Sequence, residues 1–326
     1  MTVSTTPPVI LLVSTGGTIS MIRDVAHGKS VQALTGADLV ARSLFASAFT
    51  VRVIDLEWET GRLDYLLTLA RYLHEASYSQ IDGIVVTQGT DTLEEVAYGI
   101  DEMVPAPIPI VFTGAMYPSW AVGYDGIRNL ENAFRVAMTA SCEYGALVTM
   151  NDEVFEAWSV YKSDTGAKDA FVARRGAPHG RIFGDRVSVP WKPVPRVRIG
   201  KIPVSLPSSV PILMMGVADD GCLLDELPPV SLQGLVIAGM AAGSVPPAAR
   251  KRMLQLAEQG LPIVLCSSAA SGRTADEYYY PHAYDDLHNA GVVIENGLSP
   301  RKARIRLILS LALREPYVPF GKELLA

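Results

Sequence analysis

Val9-Ile10-Leu11-Leu12-Val13-Ser14-Thr15-Gly16-Gly17-Thr18-Ile19-Ser20 is the stretch that decides the fold. Five apolar residues in a row, with no polar alternation, suit a strand buried on both faces, as in a parallel sheet covered by helices. Two adjacent glycines then let the backbone turn sharply and approach a ligand closely. Ligands of open parallel sheets bind beyond the carboxyl ends of the strands. Thr18 is therefore expected at such an edge, its hydroxyl facing the crevice. The plainer alternative is a tight turn with a hydroxyl for local capping. A phosphate loop is excluded, because Gly-x-x-x-x-Gly-Lys is absent.

Working outward, further short apolar runs occur at Val51–Leu56, Gly83–Thr87, Ile108–Thr113 and Gly145–Met150. Amphipathic helical patterns separate them, at Leu63–Ser77, Leu93–Met103 and Gly126–Ala140. This alternation predicts a parallel sheet with helices on both faces. From Val189 to Pro211 the texture changes to six prolines, an extended connector that no helix can occupy. A second series follows: Ile212–Val217, Gly234–Ala238, a helix over Pro246–Gly260, Ile263–Ser267, Val292–Ile294 and a helix over Pro300–Leu313. The expected fold is α/β, with a larger N-terminal doubly wound parallel-sheet domain and a smaller C-terminal α/β parallel-sheet domain. The expected boundaries are 1–189, a Pro-rich linker over 190–210, and 211–326.

The chain has 326 residues, 49% of them hydrophobic, and a formal net charge of −6 with mixed signs. Two domains with large cores are the natural reading. No basic face suggests nucleic acid, and no apolar run approaches the roughly 20 residues that span a bilayer. The N-terminal stretch lacks a basic segment before its apolar run, so a cytoplasmic location is expected. Cys142, Cys222 and Cys266 are far apart and read as small core residues. No paired Cys or His spacing suggests a metal, and none is expected.

A second polar strand end is Val86-Thr87-Gln88-Gly89-Thr90-Asp91-Thr92-Leu93-Glu94-Glu95. It puts another hydroxyl and a carboxylate at the same sheet edge, although Asp91 or Thr92 could also cap the helix that follows. A threonine hydroxyl is a weak nucleophile until a base takes its proton. Lys162, in Val160-Tyr161-Lys162-Ser163, could be that base if partly buried.

Thr15-Gly16-Gly17-Thr18-Ile19 and Gln88-Gly89-Thr90-Asp91-Thr92-Leu93-Glu94-Glu95 together resemble the two signature segments of bacterial-type L-asparaginases and glutaminase-asparaginases. Phe112–Met116 with Pro118, Asp125-Gly126 with Asn129-Leu130, Val148–Asp152 and Asn296–Arg304 extend the likeness in order along nearly the whole chain. The resemblance implies an amidohydrolase that releases ammonia from a carboxamide, with no metal or organic cofactor. It implies Thr18 as primary nucleophile and Thr90, Asp91 and Lys162 as a second catalytic group. It also implies backbone donors near Thr90 and Ala115, and substrate contacts from Gly17 and Gly89. The family is typically a homotetramer, a dimer of dimers, in which a neighbouring C-terminal domain completes each site.

Several positions depart from the family pattern. Met21–Ser30 carries no tyrosine and reads as a solvated loop, with Arg23 or His27 as possible substitutes. Trp58 and Glu59 fall where members hold the substrate α-carboxylate with a small polar pair, and a carboxylate repels Glu59. The neighbour's contribution reads Met240-Ala241-Ala242-Gly243-Ser244, with aromatic Tyr278–Tyr280 near the acidic position. Asparagine is thus the default small-molecule substrate, and a larger or carboxylate-masked amide the alternative. Acyl transfer to another nucleophile, including ring closure, and a non-catalytic small-amide binding protein are the other readings.

Overall fold

Strand-forming and helix-forming periods alternate through the first two-thirds of the chain, and the tertiary structure follows that alternation. The computed structural model describes residues 7–24, 28–56, 62–226, 231–275 and 284–320. The chain divides into two compact units: Met1–Val194 with Gly200–Ile202, and Pro195–Ile199 with Pro203–Ala326.

The first unit contains β1 (Val9–Ser14), a hairpin of β2 (Met21–Asp24) and β3 (Lys29–Gln32), α1 (Gly36–Arg42) and β4 (Thr50–Asp55). These lead into α2 (Leu63–Ser77), β5 (Gly83–Thr87), α3 (Leu93–Met103), β6 (Ile110–Thr113), α4 (Gly126–Thr139) and β7 (Ala146–Met150). Shorter strands close it: β8 (Glu153–Glu156), β9 (Val160–Lys162), β10 (Phe171–Ala173), β11 (Gly180–Phe183) and β12 (Arg186–Ser188). The main sheet has eight strands in the order β12-β11-β8-β7-β6-β5-β1-β4. Its half from β4 to β7 is parallel. β1 lies between β4 and β5, so the chain leaves β1 to one side and returns on the other, the arrangement that opens a crevice at the carboxyl edge.

Alternate residues of β1 serve opposite faces. Ile10 and Leu12 join Leu39 of α1 and Leu130, Ala133 and Phe134 of α4 in one buried cluster. α2 packs against α3, burying Leu66, Leu67, Leu69, Ala70 and Leu73. The α1 turn begins with a reciprocal cap: Asp38 N–H donates to the Thr35 hydroxyl, and the Asp38 carboxylate accepts the Thr35 N–H.

Three features differ from the sequence reading. β8, β11 and β12 run antiparallel to their neighbours. Asn151 and Asp152, at φ 51 and 62, make the tight two-residue turn that folds β8 back on β7. Met21–Ser30 is not a loop throughout, because β2 and β3 pair from Met21↔Gln32 to Asp24↔Lys29; His27 lies outside the described residues. Among the cysteines only Cys266 is buried in a core; Cys142 is half-buried and Cys222 exposed. Cys222 starts a short surface helix, where its N–H is held by the Asp220 carboxylate.

The second unit has a four-stranded parallel sheet, β13 (Ile212–Met214), β14 (Leu235–Gly239), β15 (Ile263–Ser267) and β16 (Val293–Ile294), in that order. Its helices are α5 (Cys222–Glu226), α6 (Pro247–Glu258), α7 (Asp285–Asn289) and α8 (Pro300–Leu313). α8 starts at the Ser299 cap with Pro300 in its first turn. Glu295 is fully buried just before it. One carboxylate oxygen accepts the N–H of Gly297 at 2.7 Å and of Leu298 at 3.1 Å. The other accepts the Tyr317 hydroxyl at 2.7 Å and the Phe320 N–H at 3.0 Å. This one side chain ties the segment after α8 to the end of β16. Glu295→Ala leaves four donors without their acceptor in a dry site, so we expect a loss of about 3 kcal/mol or more, read as a lowered urea midpoint.

Candidate active site

The site is built where β1 and β5 end side by side. The Thr15 N–H donates to Thr87 O at 3.1 Å, continuing the strand pairing one residue past β1. The Thr15 hydroxyl lies 2.7 Å from both Thr87 O and Gln88 Oε1. Gln88 N–H donates to Thr113 O at 2.9 Å, and its side-chain amide donates to the Thr92 hydroxyl at 3.1 Å. The ends of β1, β5 and β6 are thereby locked together before any of the loops diverges.

Beyond that lock, two backbones touch. A Cβ on Gly17 would lie 2.6 Å from Gly89 Cα and 2.7 Å from Gly89 N. Gly17 also has φ 85 and ψ −174, which side chains disfavour. Thr18–Ser20 then forms a short 3-10 turn, its Ile19 carbonyl accepting the Tyr124 hydroxyl at 2.8 Å. Burial pushes the Tyr124 phenol up to about 12, keeping it a neutral donor. Gly114 closes the other side, since a Cβ there would lie 2.6 Å from Gln88 O and 3.2 Å from Thr90 Cγ2.

These contacts leave a pocket of about 270 Å³. Gly17, Thr18, Gly89, Thr90 and Asp91 line it, together with Thr15, Met21 and Gln32. Thr90 is buried and Asp91 exposed, so the two neighbours occupy the floor and the mouth. Lys162 reaches in from the end of β9, its Nζ donating to the Thr90 hydroxyl at 2.9 Å. β9 is held there by its backbone: the Lys162 N–H donates to Glu94 Oε2 at 3.2 Å, and Glu94 is buried in the first turn of α3. The Thr92 N-cap makes no side-chain cap, and Asp91 Oδ1 accepts the Thr92 N–H at 3.0 Å.

Ala115 is buried where β6 ends. The loop around it is shaped by Asp125, whose oxygens accept the N–H groups of Met116 at 3.0 Å and Tyr117 at 2.9 Å. Asn129 adds a bond to Gly114 O at 3.0 Å. Ser244 belongs to the second unit, exposed in the turn after β14, where Met240 and Ser244 bridge. Tyr284 donates to Ala242 O at 2.6 Å in the same turn. Trp58, Glu59 and Tyr278 to Tyr280 lie outside the described residues. Sequence reasoning passed over Met21 and Gln32 as pocket residues. Each strand of the β2–β3 hairpin is four residues long and β3 is exposed throughout, so neither carries an alternation that could have marked them.

A doubly wound sheet with a hydroxyl pocket and a lysine at its carboxyl edge defines the class: an α/β protein with a small polar pocket at a switch point. The comparisons narrow it. The family model "Asparaginase, N-terminal" matches residues 9–195, and "Glutaminase/Asparaginase C-terminal domain" matches 209–317. L-asparaginase 2 of Escherichia coli (strain K12) is 30% identical over 317 residues, 93% of this chain and 89% of that protein. L-asparaginase of Bacillus licheniformis is 28% identical over 312 residues, covering 93% and 95%. L-asparaginase 2 of Bacillus subtilis (strain 168) is 33% identical over 251 residues, 76% of this chain and 65% of that protein. The crystal structure of a probable cytoplasmic L-asparaginase from Campylobacter jejuni superposes with a TM-score of 0.84 at 28% identity, covering 96% and 97%. The chain belongs to the asparaginase family. It is a hydrolase acting on a linear amide C–N bond. Among the described residues, no helix is long and apolar enough to cross a membrane.

Gly17→Ala tests the backbone contact. The added methyl meets Gly89 main chain, which has no side chain to move aside, so the Thr18 turn must shift. A displacement of about 1 Å at a reacting group costs on the order of a hundredfold. We expect that loss in ammonia release with a thermal midpoint reduced by only a few degrees, measured side by side.

Proposed function

We propose that this chain hydrolyses the side-chain carboxamide of asparagine or an asparagine-like amide through a threonine nucleophile. The 2.9 Å Lys162–Thr90 hydrogen bond, in the pocket that Thr18 also lines, carries this reading. Thr18 attacks the amide carbon, forming an acyl ester, and its hydroxyl proton leaves with the departing ammonia. Thr90 and Lys162 relay the proton of the water that then cleaves the ester, releasing the acid and restoring Thr18. Asp91, at the mouth, pairs with the substrate amine. Backbone N–H groups near Thr90 and Ala115 face the developing oxyanion.

The pocket volume suits a ligand the size of an amino acid. Among the described residues the charged side chain in its wall is Asp91, and the Lys162 amine sits behind the Thr90 hydroxyl at the floor, 2.9 Å away. That charge pattern favours an amide with a free amine and a masked α-carboxylate over free asparagine. The likeness to the probable cytoplasmic L-asparaginase from Campylobacter jejuni supports a cytoplasmic setting. Thr18→Ala, Thr90→Val and Lys162→Met should each lower ammonia release on the order of a thousandfold, with circular dichroism unchanged. Near-normal turnover in the folded Thr18 and Thr90 variants would discard the mechanism.

We also propose that a second copy completes the site, with Ser244 and the Tyr278–Asp285 segment as its contribution, in a dimer of dimers. Met214, Val217 and Leu223 of the second unit are exposed apolar side chains, and an obligate interface would bury such groups. Sedimentation at micromolar protein should give at least a dimer; a fully active monomer excludes the shared site.

A further inference from the structure

Gln32 is the last residue of β3, paired across the hairpin with Met21, and both reach the pocket wall. Its side chain is folded inward. A Cβ on Gly16 would lie 2.2 Å from Gln32 Oε1, 3.0 Å from Cδ and 3.4 Å from Nε2, so the carboxamide rests on the bare Gly16 backbone two residues before Thr18. Gly16, at φ 83, is free of the side chain that would displace it. Gln32 is exposed while Thr90 is buried, so the carboxamide sits toward the mouth and the hydroxyl at the floor.

A substrate whose scissile amide lies at the floor turns its other end to the mouth. There, among the described residues, it meets one carboxylate, Asp91, one neutral carboxamide and one thioether. A carboxamide N–H donates to any carbonyl oxygen, but it gives a full negative charge far less than a lysine or arginine does. Resting on the reaction proposed above, we propose that Gln32 is a specificity-determining residue. Its Nε2–H reads an uncharged carbonyl at the far end of the substrate, which selects amides whose α-carboxylate is itself amidated or esterified.

The test compares L-asparagine with its α-N-methylamide, whose secondary amide leaves one primary amide to release ammonia. Gln32→Leu, similar in size and unable to donate, should raise KM for the N-methylamide about tenfold and leave kcat within about twofold. Gln32→Lys should move the two substrates oppositely, lowering KM for free L-asparagine about tenfold and raising it for the N-methylamide. A purely structural role shifts both the same way. Unchanged KM in Gln32→Leu, or parallel shifts in Gln32→Lys, overturns the assignment. If the wild-type protein releases ammonia from neither compound, the proposed reaction fails first. Calorimetric binding of the N-methylamide to the Thr18→Ala protein then decides the role of Gln32. Weaker binding on adding Gln32→Leu supports it, and equal binding or none at all overturns it.

Discussion

Two glycines packed main chain to main chain govern this molecule. Gly17 and Gly89 approach so closely that a Cβ on the first would sit inside the backbone of the second. A side chain at Gly17 would push the two loops apart and carry Thr18 away from Thr90. The contact is possible because β1 and β5 are neighbours in register, with Ser14 opposite Thr87, so their loops leave the sheet at one level. Thr15 then uses its N–H and hydroxyl to bind the β5 end, and Gln88 repeats the device toward β6. Such buried, mutually satisfied polar groups resist displacement more strongly than isolated bonds do.

The third participant arrives by another route. Lys162 ends β9, which pairs with β10 outside the eight-stranded sheet. Nothing in strand pairing orients it toward Thr90. Glu94 does so by holding its N–H, from a helix that begins three residues after Thr90. The hydroxyl and the amine are thus referred to the same helix start. A buried carboxylate acting through the backbone of the lysine is economical, because it places the strand without occupying the pocket.

Charge gives the pocket its character. Among the described residues the small cleft is bounded by hydroxyls, glycine backbone, one carboxylate and one carboxamide, with the Lys162 amine behind the Thr90 hydroxyl, so its wall offers mainly directional hydrogen bonds. The hairpin supplies two of these walls and is anchored at its base, beside Met21 and Gln32, by Ala33 and Leu34 N–H groups on Ser20 O, at 3.1 and 3.0 Å. Thr15, Gly17, Thr18, Met21 and Gln32, which all line the pocket, therefore come from one short segment. The second unit is organised by a comparable buried anion, Glu295, which gathers four donors around the start of α8.

The sequence by itself determined the alternation of elements, because buried parallel strands need unbroken apolar runs and their helices an apolar stripe. Leu63–Ser77, Leu93–Met103 and Ile263–Ser267 form over the residues their periodicity indicates. It also determined the residue types at the strand ends, since Gly16-Gly17 and Gly89-Thr90-Asp91 are local patterns with local causes. The antiparallel strands β8, β11 and β12 and the β2–β3 hairpin were obscure, being three or four residues long, so that periodicity has too few repeats to register. Tertiary structure alone decided which hydroxyl meets Lys162, that Glu94 anchors it, and that Gln32 lies over Gly16. Those contacts join residues 72, 68 and 16 positions apart. No local propensity encodes such distances; they exist only once the sheet order has brought the ends of separate elements to one edge.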